Sequence, residues 1–181
     1  MARPSVRFET LIERYHDEIY RYLWRLLNGA GRTDSDLEAQ DLSQEVFLRA
    51  YRAFGRLRRD SNHRAWLYKI ATHCAYTALK QGQRQDDHSG PFEVHETLAG
   101  AEPSPEHQVD VDETLEMVRR AIAILPSKQR AAVVLRHVQG LDYAVIAQAL
   151  DCSEDSARAN VYQALRRLRR TLAGQQVALN G

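Results

Sequence analysis

Arginine is the residue whose placement here most clearly suits a chemical task. Arg158, Arg166, Arg167, Arg169 and Arg170 crowd into one short stretch. Each guanidinium is a planar fork of donors that can meet a phosphate, or the edge of a guanine, with two bonds. Spacing decides what surrounds them. Tyr143, Ile146, Ala147 and Leu150 fall on one face of a short helix, with Asp142 placed to cap it. Asp151, Cys152 and Ser153 then break the pattern. Ser153 can cap a second helix, with Glu154 and Asp155 at the positive end of its dipole. Ala157, Val161, Ala164, Leu165, Leu168 and Leu172 form that helix's apolar stripe. At roughly 100° per residue, Ser156, Ala159, Tyr162, Gln163, Arg166 and Arg170 lie opposite the stripe, flanked by Arg158, Asn160, Arg167 and Arg169. A helix-turn-helix ending in a cationic helix is suited to the DNA major groove. The same pattern also fits an ordinary helical hairpin with a solvated basic face.

Other helices must carry such a unit. Leu11, Ile12, Tyr15, Ile19, Tyr22, Leu23, Leu26 and Leu27 predict an amphipathic helix from Phe8 to Leu27. A second, from Leu37 to about Phe54, is expected to bury Leu42, Val46, Phe47, Ala50 and Phe54; a third, from about His63 to Gln81, buries Trp66, Leu67, Ile70, Cys74 and Leu79. Leu115, Val118, Ile122 and Leu125 start a helix that Pro126 stops, and Lys128 to Val138 supplies another before Gly140. Between Gln81 and Glu113 there is no sustained periodicity. No β pattern or repeat is visible, so the class is all-α: two small helical domains joined by a flexible acidic linker, the second a four-helix domain containing the helix-turn-helix.

The net charge of +1 hides its distribution: +4 over residues 1–80, −8 over 81–114 and +5 over 115–181. Two basic modules flanking an acidic connector suit a protein that touches a polyanion at two places. Neither a membrane span nor a secretory signal is visible, so membrane insertion is not expected and a cytoplasmic location is. Cys74 and Cys152 lie far apart without metal-ligand spacing. Cys74 reads as a small core residue and Cys152 as a turn residue. Seven histidines are scattered, and neither a carboxylate pair nor a glycine-rich phosphate loop appears. Neither an enzyme nor a cofactor or metal is expected.

Three segments, DLSQEVFLRAYRAF from Asp41 to Phe54, RAWLYKIA from Arg64 to Ala71 and LPSKQRAAVVLRHVQGLDYAVIAQAL from Leu125 to Leu150, give the chain a family likeness. It resembles the extracytoplasmic-function group of bacterial sigma-70 factors, which direct RNA polymerase to promoters. The resemblance implies a region 2-like domain over 1–84, an acidic linker over 85–113, a region 4-like domain over 114–174 and a tail over 175–181. It implies core RNA polymerase and promoter DNA as partners, with an anti-sigma factor as a further candidate. By the same resemblance, Asp41, Gln44, Glu45, Arg49 and Tyr51 dock on core polymerase. The residue chemistry agrees, since Asp41, Gln44, Glu45 and Arg49 project opposite Leu42, Val46 and Ala50, although a merely solvated face would look the same.

Arg58, Arg59, Asp60, Ser61, Asn62 and His63 match the part that captures a flipped base of the minus-10 element. Base capture needs cations beside short polar groups, and this loop has both. Trp66 and Tyr68 could pass for base-stacking aromatics, with Trp66 better suited to the core. Thr72 and His73 stand where the family commonly has Arg-Asn, which implies altered duplex contacts; Lys69, Lys80 and Arg84 remain as phosphate contacts. In the second module the resemblance gives the minus-35 element to Ser156, Arg158, Ala159, Asn160, Tyr162, Gln163, Arg166 and Arg167. Ala159, Asn160 and Gln163 depart from the usual Ser, Arg and Arg, and Asn or Gln could favour adenine. The alternative is a helix-turn-helix regulator that acts without joining the polymerase.

Overall fold

Phe8, Leu11, Ile19, Tyr22, Leu23, Leu26 and Leu27 are all buried on one face of a single helix, as their spacing requires. The computed structural model describes residues 7–28, 35–58, 60–86 and 107–179. Among these residues there is no strand, which agrees with the all-α expectation. Helices α1 (Phe8–Asn28), α2 (Ser35–Phe54) and α3 (His63–Asp86) form the first bundle. The second comprises α4 (His107–Ala123), α5 (Ser127–Val133), a π-helical turn (Val134–Val138), α6 (Tyr143–Leu150) and α7 (Glu154–Leu179). Two helices exceed their apolar periodicity: α4 starts at His107 rather than near Leu115, and α7 runs past Arg170 to Leu179. Residues 87–106, the middle of the expected acidic linker, lie outside the described residues.

A polar chain ties α1 to α3 inside the first bundle. Tyr22 Oη lies 2.7 Å from Thr72 Oγ1, which itself donates to the Tyr68 carbonyl at 2.7 Å, so Tyr22 is the donor to Thr72. The Tyr22 and Tyr68 rings meet edge to face at 5.0 Å. Tyr68 Oη donates to Glu18 Oε1 at 2.6 Å, and Arg64 Nη2 reaches the same oxygen at 2.6 Å. Burial pushes both phenols well above the ordinary tyrosine range, so each remains a donor at neutral pH. Around this chain Leu23, Leu67 and Val46 are fully enclosed. Leu23→Ala is expected to cost about 2–5 kcal/mol, read as a lower urea midpoint with an unchanged slope.

In the second bundle, Ala131 to Leu135 are all buried in succession, which a helix can do only when enclosed on every side. Here the helix widens into its π turn, where the Gln139 amide donates to the Val134 carbonyl at 3.0 Å. Gly140, at φ +66°, reverses the chain where an L side chain would be strained. Arg130 Nη2 donates to the Ala123 and Leu125 carbonyls at 2.7 and 3.2 Å, which satisfies the end of α4. Burial pulls the Arg130 guanidinium below the usual arginine range.

The two bundles pack on each other, α3 against α6, and share one hydrophobic core. Lys69 Nζ lies 2.8 Å from Asp151 Oδ1, and Tyr76 Oη donates to the Ser127 carbonyl at 2.9 Å. Asp151 holds φ +53°, a left-handed conformation that Asp tolerates better than most residues. Its hydrogen bond with Lys69 holds its carboxyl below the usual range. That contribution to packing is present at neutral pH and is lost as pH falls through the depressed value. The pair is exposed and screened by salt, so apolar burial carries most of the contact. Burial also raises the thiols of Cys74 and Cys152 above the ordinary cysteine range, the chemistry of inert rather than reactive sulfurs.

Candidate functional site

The cationic helix begins as its sequence requires. Ser153 Oγ accepts the Ser156 amide at 3.2 Å and so caps α7. Asp142 occupies the N-cap position of α6 with extended backbone, yet its side chain makes no cap bond; its Oδ1 sits 3.8 Å from Arg136 Nη1. Along α7, Ser156, Arg158, Ala159, Tyr162, Gln163, Arg166, Arg167, Arg169 and Arg170 are exposed, while Ala157, Val161 and Ala164 are buried. Two amides of this face already have partners. Asn160 Nδ2 donates to the Ser156 carbonyl at 2.9 Å, and Gln163 Oε1 accepts from Gln129 Nε2 at 2.8 Å. Arg158 and Tyr162 are the long side chains that project from the first turns. Arg158 lies against the ring of Tyr143.

At the start of α3 the polar loop divides between structure and surface. Asn62 Oδ1 accepts the Ala65 amide at 3.0 Å, so this side chain, expected to meet a base, caps the helix. Arg58 Nε is 3.5 Å from Asp60 Oδ1, and the Ser61 amide closes a turn onto the Arg58 carbonyl at 3.0 Å. His63 is half-buried beside Phe54, and Arg59 lies outside the described residues. A cleft of about 500 Å³ opens where Arg58, Asp60, Ser61, Trp66 and Lys69 face Gln148 and Asp151 of the helix-turn-helix. Trp66 is partly buried against the core, whereas Tyr68 is wholly buried and cannot stack on a base. Thr72 is enclosed and bonded to Tyr22, which leaves only His73 of that pair facing outward. Lys80 is exposed; the side chain of Arg84 lies outside the described residues.

The outer face of α2 holds more than its polar residues. Asp41 and Gln44 are exposed, while Glu45 is half-buried and accepts Arg49 Nε at 2.5 Å. Leu37, Leu48 and Tyr51 are 66%, 52% and 65% exposed. Spaced with Asp41 and Gln44 at alternating steps of four and three, they make one stripe. Leu37 and Leu48 were not among the expected contact residues, although the helical spacing that places Asp41 on this face places them there too. Large apolar side chains left in water along one helix mark a contact surface.

Among the described residues, no cluster of His, Cys, Asp and Glu could hold a metal, and no helix is long and apolar enough to cross a membrane. Residues 11–85 match the family model described as Sigma-70 region 2, and residues 115–168 match Sigma-70, region 4. The RNA polymerase sigma-H factor of Pseudomonas aeruginosa is 34% identical over 163 residues, covering 87% of this chain and 81% of the relative. The ECF RNA polymerase sigma-E factor of Escherichia coli is 30% identical, covering 87% and 82%. Among solved structures, the sigma factor RpoE of Bartonella quintana, in complex with the anti-sigma factor NepR, has a similar fold (TM-score 0.66, 21% identity, covering 92% of this chain and 96% of that one). CnrH, in complex with the cytosolic domain of CnrY, does too (TM-score 0.61, 18% identity, covering 92% and 88%). With both region models matched in order and relatives aligned over most of their length, the chain belongs to the sigma-70 family of RNA polymerase sigma factors, in its ECF group.

Proposed function

We propose that this promoter-recognising sigma factor divides its work by module. Residues 1–84 bind core RNA polymerase and the minus-10 element, 114–174 bind the minus-35 element, 85–113, which take in the first turns of α4, connect them, and 175–181, of which 175–179 continue α7, form a tail. The observation that carries this reading is the coexistence of two unlike surfaces: a mixed apolar and polar stripe on α2, suited to another protein, and a cationic face on α7, suited to duplex DNA. The α2 stripe also favours a polymerase subunit over a free-standing helix-turn-helix regulator, which would leave that stripe unused. The protein performs no catalysis of its own and works inside the cell. An anti-sigma factor is a further partner, a reading supported by the sigma factor RpoE of like fold, which was solved with the anti-sigma factor NepR. Run-off transcription with core polymerase tests the assignment: specific transcripts that depend on this chain are expected, and their absence on every promoter tried would overturn it.

Within α7, Arg158 reads a base while Arg166, Arg167 and Arg170 hold phosphates. Arg158→Ala is expected to cost about 1–3 kcal/mol at one promoter position, whereas Arg170→Ala weakens all sequences alike and lowers the salt slope by about one. Equal loss on specific and scrambled DNA would reduce Arg158 to a phosphate contact.

A further inference from the structure

The phenol ring of Tyr143 gathers two guanidinium groups from different elements. The guanidinium carbon of Arg136, in the π turn, lies 4.7 Å from the ring centroid, and that of Arg158, on α7, lies 4.5 Å from it. Two like charges brought together repel unless something attracts both, and the electron-rich face of a phenol does so. Each guanidinium also has an acidic neighbour. Glu154 Oε2 is 3.5 Å from Arg158 Nη2, and Asp142 Oδ1 is 3.8 Å from Arg136 Nη1. Arg136 is anchored further, its Nη1 donating to the Leu141 carbonyl at 2.8 Å. Tyr143 has little freedom, being half-buried at the first residue of α6 and packed against the core. Arg136 is thus the fixed member of the trio. Arg158, with 56% of its side chain exposed, is the open end.

We infer that Tyr143 is a positioning residue for base reading: its ring, backed by Arg136, fixes the Arg158 guanidinium at the start of α7 so that its free edge meets one base pair in a set orientation. The inference rests on the reading of Arg158 as a base contact. An unrestrained arginine carries large rotamer entropy and can serve a phosphate from many directions. An arginine held over an aromatic ring keeps donors free at its edge while losing that freedom, which favours bidentate discrimination over general attraction. Glu154 alone would not achieve this, because an exposed pair one helical turn away restrains a guanidinium weakly.

The test uses holoenzyme, full chain with core polymerase, initiating on promoters that carry each of the four bases at every minus-35 position. Arg158→Ala identifies the position that Arg158 reads by flattening the preference there. Tyr143→Leu and Tyr143→Gln are expected to flatten the same position by about tenfold, with core binding and the thermal midpoint near those of the parent. Tyr143→Phe, which keeps the ring, is expected to retain the preference. Tyr143→Leu combined with Arg158→Ala should flatten it no further than Arg158→Ala alone. A uniform loss across all promoters in both Tyr143 ring deletions, with base preference intact, would overturn the positioning role while sparing the reading of Arg158. If Arg158→Ala changed no single position, the reading of Arg158 and this inference would fall together.

Discussion

Leu48→Glu is expected to separate this sigma factor from core RNA polymerase while leaving its own fold intact. Leu48 sits on the outer face of α2, 52% exposed, between Gln44 and Tyr51. Substitution at so exposed a position normally changes stability by less than about 0.5 kcal/mol. In a docked helix the same side chain becomes an apolar anchor. A carboxylate there must lose its water without a partner, a penalty that hot-spot truncations place at about 2 kcal/mol or more, or roughly a thirtyfold loss of affinity. Tyr51→Ala should act in the same direction. The double variant Gln44→Ala, Glu45→Ala should act more weakly, because Glu45 is already engaged by Arg49 within the helix. Co-elution of the full chain with core polymerase measures the loss, and far-UV circular dichroism with urea unfolding confirms that α2 persists. If the Leu48→Glu protein stayed bound as tightly as the parent, the α2 stripe would have no place in the interface.

Much of this architecture is legible in the chain because local periodicity and tertiary burial agree. The start of α7 shows this: Ser153 followed by Glu154 and Asp155 marks an N-terminus, Ala157, Val161 and Ala164 mark the inner face, and each does what its spacing predicts. Legibility fails where a side chain's role is set by a partner distant in sequence. Asn62 reads as a base contact or as one more member of a polar loop, whereas in the fold its Oδ1 accepts the Ala65 amide at 3.0 Å and caps α3. Thr72 stands at a position associated with DNA contact, yet the Tyr22 phenol, fifty residues away, draws it into the core. Lys69 reads as a phosphate contact, and its pairing with Asp151 depends on α3 meeting α6, which no local pattern reveals. The consecutive buried residues Ala131 to Leu135 announce an enclosed helix without announcing its π turn. Exposed Leu37 and Leu48 were missed for the opposite reason: apolar residues in a helix are read as core by default, and only their register separates them from Val46 and Ala50.

Promoter opening is expected to fail when Ser61 and His63 are both replaced by alanine and Asn62 is left in place. Sparing Asn62 matters because its loss would uncap α3, at about 1 kcal/mol, and a structural defect would imitate a functional one. Ser61 lines the cleft with Trp66 and Lys69, and His63 lies half-buried beside Phe54; neither makes a helix cap. An unstacked base costs a few kcal/mol to hold out of the duplex, and on the proposed reading the hydroxyl and imidazole of these side chains, with the Arg58 cation nearby, would offset it. The second module presents a different surface. Its exposed face is a regular helix bearing Arg158, Tyr162, Gln163, Arg166 and Arg170, suited to an intact groove. The double variant should therefore keep core association and minus-35 binding near the parent level while permanganate reactivity of unpaired promoter thymines disappears. Pre-melted promoter DNA should restore transcription only in part, since it removes the cost of opening but not the need to capture the base. Parent-like permanganate footprints in the double variant would return this loop to the status of a connector, and base capture would have to be sought on the exposed side of α3, at Lys69 and His73.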